Sequence, residues 1–317
     1  MAGGVYDVFL LSPTASSTAL SDKTLYPYFA RSVPPNTEQA EAMVEFILYY
    51  HEITGIAQWL NVSVICTADD YGVDGSKQFI ALGEVSTPPI FTKSFQQFLV
   101  GATDVTIEVR ELKDSGARVF IAYMGAEGYR TVIKEAKKKE IIGDYYVWIC
   151  SDGCATDSIF EVPDGDQISA RSVKQLSRGL VGVSFSGGRG VRYEEYLDRW
   201  YELDPVQYPG AGQPPEVDSL LAYDSVYAAA FTLQTLFDSL IYQPSGLDLF
   251  EAVTFIEFIG ITGDYNIDSV GDRDGDYTIE NLWPDYTFYP VFTWNQTVGL
   301  VPVAETHWHD GTTEIPG

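Results

Sequence analysis

Basic residues are scarce in this chain. Of 317 residues only 19 are Lys or Arg, against 45 Asp or Glu, leaving a formal net charge of −26. A field of that sign repels phosphate backbones and anionic headgroups, which argues against nucleic acid and membrane surfaces as partners and leaves a neutral ligand, a cationic ligand or another protein. Cysteine is scarce too. Cys66, Cys150 and Cys154 are too few for a disulfide scaffold, and an odd number leaves at least one thiol unpaired within the chain. No run approaches the roughly 18 apolar residues that would cross a bilayer, and the first four residues have neither the basic nor the apolar region of a signal peptide, so the chain is expected to be soluble. Catalytic spacing is missing as well: there is no nucleophile elbow, no Ser/His/Asp set and no phosphate loop, and the glycine-rich stretch from Ser186 to Gly190 lacks the following Lys-Ser/Thr. The expectation is a protein that is not an enzyme, with no catalytic residue and no cofactor.

Hydrophobic residues make up 45% of the chain and aromatics 14%, enough for a packed interior, and the length suits two lobes. Ala40, Met43, Val44, Ile47 and Leu48 form an i, i+3, i+4 stripe behind Asn36, which is expected to cap that helix with Gln39 completing a capping box. Val62 to Thr67, Arg118 to Met124, Tyr145 to Cys150 and Gly179 to Phe185 read as buried strands, with helices over Gln78 to Leu82 and Ala126 to Ile142. Pro89 to Thr92 suits a short strand, Phe95 to Leu112 a mostly helical stretch, and Asp69 to Gly72 a turn. Val5 to Leu11 is expected to be the first strand. Beyond Gly190 the pattern predicts helices over Tyr193 to Leu203, Asp218 to Leu240 and Leu247 to Ile259, the second packed on both sides, then antiparallel strands over Tyr277 to Val303. Helix and strand alternation of this kind specifies a mostly parallel sheet flanked by helices.

Several constellations carry less. Cys150 and Cys154 could form a metal pair or a loop disulfide, but no second pair with zinc spacing exists, so free thiols are expected. His307 and His309 beside Asp310 read as a solvated tail rather than a metal site. Asp272, Asp274 and Asp276 resemble a calcium loop with the glycine one place early and the wrong spacing to Glu280, which favours a hairpin turn; no metal site is assigned. Asn61-Val62-Ser63 and Asn295-Gln296-Thr297 are glycosylation sequons and fit secretion weakly.

The segments Leu11 to Tyr26, Tyr28 to Pro35, Asp70-Tyr71-Gly72, Gly116 to Val119, Ser151-Asp152-Gly153, Ala222 to Ala228 and Gly271 to Asn281 together resemble the receptor-type ligand-binding region of the type 1 periplasmic-binding-protein fold. That family includes the extracellular domains of metabotropic glutamate, γ-aminobutyrate type B and natriuretic-peptide receptors and the bacterial branched-chain amino-acid-binding proteins. The resemblance implies an α/β, two-lobed fold with mostly parallel sheets, with residues 1–33 and 188–262 as a partial lobe one, 34–187 as lobe two, and 263–317 as crossing strands and C-terminal segment. The first half of lobe one is expected to be absent, either because the chain is a fragment of a larger receptor or because its gene model starts late.

What the resemblance implies for function is an extracellular sensing region of a membrane receptor, G-protein-coupled or guanylate cyclase, that captures an amine-bearing, amino-acid-like ligand and signals by lobe closure. The alternative is a solute-binding protein of an ABC amino-acid transporter. The receptor's membrane and signalling domains are then expected to lie outside this chain, on which no nucleic acid would act, and a homodimer is compatible with the role. In relatives the turn matching Thr14, Ala15 and Ser16 offers amides and hydroxyls to a ligand carboxylate, a geometry that small hydroxyl residues also favour physically. Asn36 stands where several relatives carry an acid for the ligand amine, although an amide supplies no charge and suits a cap. Tyr71 matches an aromatic lying over the ligand, where a cation–π contact is available, and equally fits a core plug. Asp152, following a buried strand, is placed to pair with an ammonium; its structural role would be an Asx turn before Gly153. Asp157 and Asp218 stand where glutamate-binding relatives use basic residues, which argues against glutamate.

Overall fold

The computed structural model describes residues 6–163 and 168–316. The chain divides into two units: Met1–Pro35 with Phe185–Gly275, here unit one, and Asn36–Ser184 with Asp276–Gly317, unit two. Unit one opens with parallel strands β1 (Leu10–Ser12) and β2 (Phe29–Arg31). Unit two then runs α1 (Asn36–Thr54), β3 (Asn61–Thr67), α2 (Asp70–Val85), β4 (Phe91–Phe98), α3 (Thr106–Asp114), β5 (Val119–Tyr123), α4 (Ala126–Lys138), β6 (Val147–Ser151), α5 (Ala170–Leu176) and β7 (Val181–Phe185). The chain returns to unit one for α6 (Gly190–Glu202), α7 (Val217–Asp238), α8 (Gly246–Val253) and the hairpin of β8 (Glu257–Gly260) and β9 (Gly263–Asn266). It finishes in unit two with β10 (Tyr277–Leu282), β11 (Phe288–Asn295) and β12 (Gly299–Pro302).

Unit two is built on an eight-stranded sheet in the order β12-β11-β10-β7-β6-β5-β3-β4. From β4 to β7 neighbouring strands are parallel, while β10, β11 and β12 are antiparallel to one another. This is a mixed α/β fold of the periplasmic-binding-protein-like kind. Every residue of β5 and β6 is buried, as parallel strands covered on both faces require. Fully burying each large apolar side chain here contributes roughly 1.5–3 kcal/mol. Strand order turns back at β3, with β4 on one side and β5, β6 and β7 on the other, so a topological switch point lies at the carboxyl ends of β3 and β5.

The structure corrects several local expectations. Residues 95–98 are not helical: β4 runs through Phe98 in parallel register with β3, and the helix starts only at Thr106. The polar, half-exposed pattern of an edge strand had imitated a helical face. Asp69 to Gly72 is not a free turn but the start of α2, with the Asp69 carboxylate accepting from the Gly72 amide at 2.9 Å as an N-cap. The helix beginning near Leu247 stops at Val253, and Ile259 lies in β8. The first strand is β1, starting at Leu10, while Val5 falls outside the described residues. The capping box at Asn36 does not form, because Gln39 turns its amide towards Asp152 and the Val183 carbonyl instead. The C-terminal segment is not a solvated tail either: Trp308 is buried against Tyr50 and Trp59, and His309 Nδ1 lies 3.4 Å from Asp144.

In unit one, Ala30, Ala228, Phe250, Val253, Ile256, Tyr265 and Ile267 form the core. From its sequence, helix α7 is predicted to be packed on both sides. It buries one side, through Leu220, Leu221, Ala228 and Leu236, and leaves Val226, Tyr227, Phe231 and Phe237 in solvent. The acid-rich segment after Asp268 is a turn closed by an antiparallel bridge between Ile267 and Arg273. Asp268 caps it by accepting from the Val270 and Asp272 amides, and the Asp272 carboxylate pairs with Arg31.

Candidate functional site

In unit two, Tyr71 and Asp152 are brought into direct contact. Tyr71 lies in the first turn of α2, just past the end of β3, and Asp152 is the residue after β6, so both stand at the carboxyl edge of the parallel sheet. The Tyr71 hydroxyl donates to Asp152 Oδ1 and lies 2.8 Å from Ser151 Oγ, and it accepts from the Gly153 amide at 3.2 Å. That last bond, together with Cys154 and Ala155 amides bonding back to the Ser151 carbonyl, satisfies the turn after β6. The Asp152 carboxylate is therefore not consumed in an Asx turn. A second donor to its Oδ1 comes from Gln39 Nε2 at 2.9 Å. Among the described residues nothing donates to Oδ2, and Asp152 is exposed.

Burial pushes the Tyr71 phenol well above its ordinary value, and the neighbouring Asp152 carboxylate pushes it further, so the hydroxyl stays protonated and keeps donating. Tyr123, the last residue of β5, meets the Tyr71 ring edge-on at 6.4 Å between centroids. Its own phenol is raised by burial and then by Asp152 and Asp74. Tyr123 fits because position 75 on α2 is glycine: a Cβ there would lie 2.4 Å from the ring. Two buried polar atoms in this cluster have no protein partner, the Tyr123 hydroxyl and Gln39 Oε1.

Asn36, the first residue of α1, is buried, and its Nδ2 donates to Asp74 of α2 at 3.1 Å, tying the two helices together. Its amide is thus engaged with an acid of the protein itself. Gln39 and Ser151 were not foreseen. Gln39 had a local explanation as a capping residue, and no spacing rule links positions 39 and 152.

Thr14, Ala15 and Ser16 belong to unit one, in the loop after β1. The Ala15 amide donates to Ser12 Oγ at 3.1 Å and is not free to meet an anion. Arg31 braces the loop from beneath, donating to the Ala15 carbonyl at 3.2 Å and the Ser17 carbonyl at 2.8 Å while its Nε lies 2.8 Å from Asp272 Oδ1. The helix that follows is a single 3₁₀ turn, Thr18–Ser21, too short for a developed dipole. Among the described residues, no group of three or more His, Cys, Asp or Glu is arranged to hold a metal ion, and all three cysteines are free and buried. Asn61 of the first sequon is engaged with the Ala57 carbonyl and Ser63 is buried in β3, whereas Asn295 is the last residue of β11, its side chain accepting from the Thr297 amide in the turn that follows.

A polar cluster with one free carboxylate oxygen at the carboxyl ends of parallel strands stands where open α/β sheets hold their ligands. The family model described as "Receptor family ligand binding region" matches residues 2–285, and the chain belongs to that family. It is 24% identical over 287 residues to the extracellular calcium-sensing receptor of Mus musculus, covering 90% of this chain and 24% of that protein. With the receptors of the same name from Sus scrofa and Homo sapiens it shares 24% identity over 197 residues, 62% of this chain and 17% of each of those proteins. The chain thus spans about a quarter or less of the relatives it matches. No helix among the described residues is long and apolar enough to cross a membrane.

Proposed function

We propose that this chain is the ligand-sensing region of an extracellular receptor and that Asp152 anchors the amine of a small, amino-acid-like ligand. The observation that carries this reading is the state of the Asp152 carboxylate: one oxygen is fixed by Tyr71 and Gln39, and the other is exposed and without a protein donor. A carboxylate held in orientation on one side and open on the other is prepared for a charge-assisted hydrogen bond from an ammonium. The Tyr71 ring adds an aromatic face for the same cation. The relatives named above are called calcium-sensing. A divalent calcium ion takes six to eight oxygens, and a single carboxylate flanked by a phenol and an amide suits a monovalent ammonium better. In unit one, Thr14 and Ser16 carry hydroxyls of the kind that suit a carboxylate, whereas the Ala15 amide is taken by Ser12 Oγ. In this reading closure of two lobes on the ligand is the signal, as the family resemblance implies.

The test is a thermal-shift screen of free amino acids and simple amines, with calcium chloride as a separate arm, on the chain and on Asp152→Asn. An amine that raises Tm in a saturable way and loses that effect in the variant supports the reading. A saturable response to calcium alone, or an amine response that Asp152→Asn leaves intact, sinks it.

A further inference from the structure

Unit one contains a cavity of about 450 Å³, of the size that small-molecule sites occupy. It lies far in sequence from Tyr71 and Asp152 and draws its lining residues from α6 and the Leu203 that ends it, from α7, and from β8 and the Ile261 that follows it. One wall is α6. Arg192, Tyr196 and Arg199 follow one another at i, i+4 and i+7, which places them on one face of the helix, and all three line the cavity. Tyr196 stacks with Trp200 at 5.8 Å between ring centroids and 22° between planes. Tyr223 of α7 meets Tyr196 edge-on at 5.1 Å, closing the opposite wall with an aromatic edge.

The charges are the informative part. In a chain with 45 acidic residues, among the described residues neither Arg192 nor Arg199 has a salt-bridge partner. Asp224 borders the same cavity, but its two oxygens are consumed: they accept from the Ile261 and Thr262 amides at 2.9 Å each and from the Thr262 hydroxyl. It therefore shapes the floor and, although it keeps its charge, forms no ion pair with either arginine. Glu195, on the same wall, opposes a second negative charge.

We propose that the cavity between α6 and α7 binds a small aromatic monocarboxylate, its ring against Tyr196 and Trp200 and its carboxylate on Arg192 and Arg199. A planar guanidinium matches a carboxylate in a forked geometry that an ammonium cannot offer, and the stacked rings supply a flat apolar surface that selects for an aromatic body. A dicarboxylate is disfavoured by Glu195, and an aliphatic acid forgoes the ring contact.

The test uses the intact chain and three probes, indole-3-acetate, indole and acetate, in isothermal titration calorimetry. Indole-3-acetate should bind saturably with Kd at or below about 1 mM, and indole and acetate at least about tenfold more weakly. Arg192→Gln combined with Arg199→Gln, both exposed positions, should weaken indole-3-acetate at least about tenfold and flatten the salt dependence of binding. Tyr196→Ala should weaken it too, and should the truncated helix fail to fold, Tyr196→Leu reads the same loss. Asp152→Asn should leave it unchanged, which separates this site from the one proposed above. Equal binding by the double arginine variant, equal binding of indole, absence of saturable heat, or loss of binding in Asp152→Asn would each overturn the assignment.

Discussion

Gln39 and Asp152, 113 positions apart in the chain, are joined by a hydrogen bond of 2.9 Å from Nε2 to Oδ1. Tyr71 donates to the same oxygen. Two donors on one acceptor are expected to be energetically coupled, because removing either leaves the other to hold the carboxylate alone. In denaturant unfolding, Tyr71→Phe and Gln39→Met should each cost about 1–2 kcal/mol. The double variant should depart from additivity by more than about 0.5 kcal/mol, and strict additivity would show that the oxygen is not shared.

In unit one the corresponding brace is Arg31, fully buried, whose guanidinium spans Asp272, the Ser21 hydroxyl and two loop carbonyls. Removing one partner of such a pair leaves a largely buried carboxylate uncompensated. Arg31→Met should therefore destabilise unit one by about 3–5 kcal/mol, seen as faster hydrogen exchange across residues 10–31. Arg31→Lys keeps the charge but not the fork and should recover only part of the loss. Full recovery by lysine would mean that charge alone matters.

Gly75 is expected to be irreplaceable for a steric reason. Its φ is ordinary, but an added Cβ would meet the Tyr123 ring at 2.4 Å, and that ring is wholly buried between α2 and the sheet. Gly75→Ala should cost about 1–3 kcal/mol despite the better helix propensity of alanine, and the companion change Tyr123→Leu should relieve part of that cost. Unchanged stability of Gly75→Ala in urea would show that the ring moves aside freely.

The sheet was legible because its strands carry their own signature. Val62 to Thr67 and Val119 to Tyr123 are mostly apolar runs, and every one of their residues is buried, as a strand covered on both faces requires. Of strand β4 only the start was legible, within the short strand expected over Pro89 to Thr92, since an edge strand with Lys93, Gln96 and Gln97 half in water has no such run beyond it. Asp152 could be singled out from its place after a buried strand. Its partners could not, because a hydrogen bond from Gln39 or Tyr71 depends on where α1 and α2 pack, and local pattern does not encode that. The cavity between α6 and α7 escaped for a related reason. The spacing of Arg192, Tyr196 and Arg199 is visible in the sequence, but that their charges go unpaired is a property of the folded chain.

Glu280 on β10 provides the pH prediction. Burial, and then the nearby Asp157 carboxylate, raise its pKa from 4.5 to about 7. A carboxyl whose pKa is higher in the folded state than in the unfolded one binds its proton more tightly when folded, so its contribution to stability is fully present below pH 4.5 and disappears as pH rises through 7. The loss across that window should be about 3 kcal/mol. Glu280→Gln removes the titration, so the variant should match the parent near pH 4.5 and exceed it in Tm at pH 8. The bulge in the β10–β11 pairing falls between Ile279 and Glu280, and the amide must fit the same space as the neutral acid for the comparison to hold, which equal Tm values at low pH would verify. A parent whose stability does not fall between pH 5 and pH 8 relative to Glu280→Gln would show that the carboxyl is already ionised in the folded protein.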